Sequence, residues 1–81
     1  MASVIDPEKH ADLIGLQRAV FAADRELHAY SGVEAEPLRG AVRQAAAVKN
    51  RALEESGLVQ EHGWYTAEQD LKQAARAAER G

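Results

Sequence analysis

Leu13, Leu16, Val20, Ala23, Leu27 and Tyr30 recur at intervals of three and four. That spacing puts all six on one face of an α-helix, whereas a strand would scatter them over both faces of a sheet. Ile14 and Phe21 lie beside the stripe and widen it. The chain has no run of alternating β-branched residues, so no strand pattern competes with the helical period. The fold class is therefore expected to be all-α. Alanine reinforces this, because 17 of the 81 residues are alanine, the residue that loses least entropy on entering a helix.

Local stop and start signals divide the chain into three helices. Asp6 is a good N-cap, Pro7 fits the first helical position and Glu8 suits the positive end of the dipole, which predicts a helix over 7–30. Gly32 is expected to end it in the left-handed conformation, with Val33 closing over Leu27. Pro37 disfavours helix at Glu36 and opens a second helix, expected over 37–56. Its inner face reads Leu38, Val42, Ala45, Val48 or Lys49, and Ala52 or Leu53. Gly57 repeats the ending, with Leu58 placed to cover Leu53. The segment from Leu58 to Tyr65 looks irregular. Thr66 with Gln69 then matches a capping box, predicting a third helix over 66–80. That helix has a thin inner face of Leu71, Ala74, Ala75 and Ala78, and an i,i+4 pair of Glu68 with Lys72. The expected architecture is one helical domain over 1–81, an antiparallel hairpin with a shorter third helix.

A core this small is marginal, and chains of this size commonly lean on disulfides, metals or a second copy. The chain has no cysteine, which removes disulfides, thiolate ligands and thiol nucleophiles. A homodimer in which two hairpins form a helical bundle is the expected remedy. The net charge of −3 argues against nucleic acid as the main partner. No apolar run approaches the ~18 residues that a membrane span needs, and the segment from Met1 to Lys9 lacks a signal-peptide layout. The location expected from this is cytoplasmic.

Candidate chemistry is sparse. His10 follows Asp6 by four residues and His28 follows Asp24 by four, but a metal needs three or four converging ligands, and none is predicted. Ser3, Ser31 and Ser56 read as terminus or capping residues, and the glycine spacing matches no phosphate loop. Neither a cofactor nor enzymatic activity is expected. Arg39 and Arg43, with Asn50 nearby on the same helical face, make the one basic face able to touch phosphates; Glu34 and Glu36 are placed to neutralise it. Trp64 and Tyr65 are the bulkiest adjacent groups in the chain. Trp64 is expected to plug the open end of the hairpin, with an interface anchor as the other reading. Phe21 adds a third large apolar group. The function these features support is a small non-enzymatic protein-interaction or regulatory module, using Trp64, Tyr65 and Phe21. A nucleic-acid accessory role through Arg39 and Arg43 is the alternative.

Overall fold

A computed structural model describes residues 3–80, so residues 1, 2 and 81 of the expected 1–81 domain lie outside the described part. Those residues form four helices and no strand: α1 Ala11–Ala29, α2 Glu36–Glu55, α3 Leu58–His62 and α4 Trp64–Arg80. α1 packs along α2 and against α4, and the short α3 joins the end of α2 to α4. The molecule is elongated, 43 × 27 × 18 Å.

The first helix begins later than its cap signals suggested. Asp6 does accept from orphan amides, with its Oδ1 2.9 Å from the Glu8 nitrogen and 3.3 Å from that of Lys9. Those bonds close a turn, and the His10 nitrogen donates to the Asp6 carbonyl at 2.8 Å. His10 interrupts regular helix at φ −110°, ψ 29°. Its Nδ1 accepts the Asp6 backbone N–H at 2.9 Å, an alternative to helical bonding of the kind short polar turns offer. Helix proper starts at Ala11.

The two glycine endings behave differently. Gly57 adopts φ 85°, the left-handed conformation predicted for it, and Leu58 beyond it is buried in the same core cluster as Leu53. The Ser56 hydroxyl completes the turn, donating to the Leu53 carbonyl at 2.6 Å and accepting from the Leu58 nitrogen at 3.2 Å. Gly32 does not adopt a positive φ. α1 instead ends at Tyr30, which is extended at φ −77°, ψ 128°, and Val33 stands fully in water instead of covering Leu27. A β-carbon at position 32 would meet only the free end of the exposed Tyr30 side chain, which can move aside.

The predicted capping box at Thr66 does not form. The irregular segment is mostly helical: α3 occupies Leu58–His62, and Gly63, at φ 88°, ψ 154°, lets the chain turn and restart at once. The Gly63 carbonyl takes the first amide of the new helix, from Ala67 at 3.1 Å. α4 therefore begins at Trp64, two residues before Thr66.

One cluster forms the core: Ile5, Leu13, Ile14, Leu53, Leu58, Ala67, Leu71 and Ala75. All of it sits where α4 and α3 cover the start of α1 and the end of α2; this end is called the base. From residue 18 to residue 48 no residue is buried. Along this arm the predicted stripe of Val20, Ala23 and Leu27 is half-covered, and Tyr30 is exposed.

Candidate interaction surface

Lys49 is the least expected residue of the base. It is 3% exposed, although lysine is almost never buried without a partner. Its partner is Glu68 on α4, with Nζ 3.0 Å from Oε2, and its charge also lies 5.8 Å from the centre of the Trp64 ring. Glu68 is shared with Lys72 at 3.7 Å, the i,i+4 pair predicted from spacing. Burial pushes the Glu68 carboxyl up, but the hydrogen bond and charge of Lys49, helped by Lys72, outweigh it and hold the group below the usual glutamate range. The helical period of α2 offered either Val48 or Lys49 for the inner face. The structure selects the lysine and leaves Val48 45% exposed, because only a cation at that height can meet Glu68.

This arrangement fixes the aromatic pair. Trp64 is the first residue of α4 and remains about one-third exposed over the Lys49 charge. Tyr65 beside it is largely exposed. Trp64 is thus held in place from beneath while one edge faces water. Tyr65 also borders a shallow cleft of about 530 Å³ with Ser3, Val4, Thr66, Asp70 and Gln73. Asp70 ties the N-terminal segment to α4 by accepting the Val4 N–H at 3.0 Å.

Phe21 lies elsewhere. It is half-buried against the edge of the core, under the Arg76 guanidinium at 5.4 Å. One turn further along α1, Arg25 pairs with Glu79 of α4 at 3.2 Å. The Trp64–Tyr65 pair and Phe21 therefore do not converge on one patch.

Arg39 and Arg43 both turn toward Glu36. Arg43 donates to its Oε1 at 2.6 Å, and Arg39 stands 3.8 Å from Oε2. The Arg43 hydrogen bond holds the Glu36 carboxyl below its ordinary pKa. One carboxylate thus takes up much of the basic face. Asn50, grouped with these arginines by spacing, is partly buried, and its Oδ1 has no protein partner.

The histidines stay local. His28 Nδ1 lies 2.8 Å from the Asp24 carbonyl and 3.4 Å from its carboxylate, on an exposed surface. Among the described residues no three His, Asp or Glu side chains converge as a metal site would require. No described helix is long and apolar enough to cross a membrane.

Sequence reasoning offered Lys49 on the inner face only as an alternative to Val48, and it missed Gln17. Gln17 is 1% exposed, and its Oε1 has no hydrogen-bond partner. Its spacing, one turn after Leu13, was the available signal, but its polarity pointed the other way. Comparison with known proteins found no matching family model, no matching curated protein and no matching solved structure.

Proposed function

We propose that this chain is a small non-enzymatic interaction module that works as a homodimer, each copy presenting an antiparallel hairpin of α1 and α2. The observation that carries this reading is the arm. Thirty-one consecutive residues, 18–48, contain no buried side chain, yet the arm holds Val20, Leu27, Leu38 and Val42 at helical spacing. Two helices alone leave such a seam half-wet, and a third layer is what normally dries it. Inside the protein α4 buries side chains only at the base; beyond it α4 reaches α1 at Phe21 and Arg25 but leaves the seam half-covered.

The Trp64–Tyr65 pair lies at the base and stays available as an anchor for a protein partner, since tryptophan and tyrosine dominate binding energy in most interfaces. The nucleic-acid reading has weaker support, because Glu36 pairs with both arginines it would need and offsets one of their two charges.

Sedimentation equilibrium over about a hundredfold concentration range tests the proposal. The expected result is a mass that rises from one chain to two. A single-chain mass at every concentration would remove the dimer, and with it the main support for the module.

A further inference from the structure

We infer that the second copy docks on one particular surface, the alanine-lined side of the α1–α2 pair that faces away from α4. This rests on the homodimer reading above and names its interface.

The surface follows from helical geometry. On α1, Ile14 packs in the core shared with α4 and Phe21 stacks under Arg76 of α4, so these two mark the side toward α4. At about 100° per residue, Leu16, Ala19 and Ala23 fall on the opposite flank. On α2, Leu53 packs in the core with Leu71 and Ala75 of α4; Ala41 and Val48 fall about 120° and about 140° round from it, with Ala45 at about 80° between them and the seam. Exposure agrees: Ala19, Ala41 and Val48 are exposed, and Leu16, Ala23 and Ala45 are only half-covered. These six side chains carry no charge and no hydrogen-bonding group.

Three observations select a second copy as the occupant. The first is charge. Residues 11–55, from the start of α1 to the end of α2, hold six basic residues against seven acidic ones, so this surface is nearly neutral and −2 of the −3 lies outside it. Two copies meeting along α1 and α2 avoid most of the repulsion they would feel base to base. The second is shape. Alanine-lined helices let backbones approach to the short end of the 8–10 Å range, and a flat two-helix layer of small residues is best matched by another such layer. The third is area. α1 has 19 residues; at 1.5 Å each, across two helices of about 10 Å, the face measures roughly 550 Å² per copy. Two such faces remove roughly 1,100 Å², just above the ~1,000 Å² expected of a specific interface. The docking leaves Trp64 and Tyr65 uncovered at the base.

The test is the concentration-dependent mass of three variants. Ala41→Arg places an exposed charge in the centre of the face, Ala47→Arg places the same charge on the outer edge of α2, and Tyr65→Ala removes the exposed ring at the base. Dissociation of Ala41→Arg should shift by about tenfold or more toward the monomer, while the other two stay like the unaltered protein. Ala19→Arg repeats the test from α1, and circular dichroism checks that each variant keeps its helix content. A dimer unmoved by both face charges, or lost with Tyr65→Ala, would overturn this interface but keep the dimer. A monomer throughout would overturn both.

Discussion

The base and the arm are built from similar residues in similar helices, and yet one is closed and the other open. Leu53, Leu71, Ala67 and Ala75 in the base are fully shielded from water. Val20, Leu27, Leu38 and Val42 in the arm are half-exposed. Composition does not separate the two regions; the number of layers does. At the base, α3 and α4 close over the seam, whereas along the arm α4 reaches α1 only as far as Phe21 and Arg25 and α2 has α1 as its main neighbour. Burial here depends on how many elements meet at a given height, which helical periodicity along one chain segment does not encode.

The most severe way to probe this contrast is to remove matched apolar groups from the two ends. Leu71→Ala should lower stability by about 3 kcal/mol, through lost transfer energy and a cavity that cannot collapse. Val20→Ala should cost under ~1 kcal/mol, because the site is already half-wet. Urea denaturation of the two variants measures both, and equal losses would break the distinction between base and arm.

Ion pairs offer a second comparison. Glu68→Leu leaves Lys49 charged and buried without its partner, at an expected cost of about 2 kcal/mol; this lies below the 3–5 kcal/mol of a wholly buried pair because Glu68 keeps some contact with water. Arg43→Ala in the arm should leave the melting temperature unchanged, since Glu36 and Arg43 are both more than half exposed. Acidity should separate the pairs too. The Glu68 pKa is depressed in the fold, so the pair's contribution is complete above the ordinary glutamate pKa of about 4.3 and disappears as pH falls through the lower folded value. The gap between the unaltered protein and Glu68→Gln should therefore narrow in that acid range, and a gap that widened there would refute the assignment.

The smallest effects are at the two glycine endings. Gly57→Ala forces a side chain into φ 85° and should cost about 1 kcal/mol. Gly32→Ala needs no left-handed backbone, and the group in its way is the free end of the exposed Tyr30 side chain. Its effect should stay within ~0.5 kcal/mol. Thermal melts compare the two directly.

These contrasts also explain what could be read from residues alone. The helical class, the bonds accepted by Asp6, the Gly57 ending and the core positions Leu13, Leu53, Leu71 and Ala75 follow from local spacing and local bonds and were legible; that the Asp6 bonds close a separate turn ahead of α1 was not. Misreadings arose where a distant element decides the outcome. Thr66 has the right neighbours for a cap, but Gly63 permits an earlier restart that only the contact of α3 with α4 makes worthwhile. Val48 and Lys49 fit the inner face of α2 equally well until Glu68 arrives from α4. Gln17 is covered because α1, α2 and α4 meet at its height. Of the candidate surface, Trp64 and Tyr65 could be singled out by their size, but the support of Trp64 by a buried lysine could not.

That support has an experimental consequence. Trp64 is the only tryptophan in the chain, and it reports from the closed end, beside a fixed positive charge. An unfolding curve followed by its emission is therefore blind to fraying at the far ends of α1 and α2, whereas a far-ultraviolet signal collected in parallel weights all four helices. Any lag between the two traces measures how independently the open end comes apart.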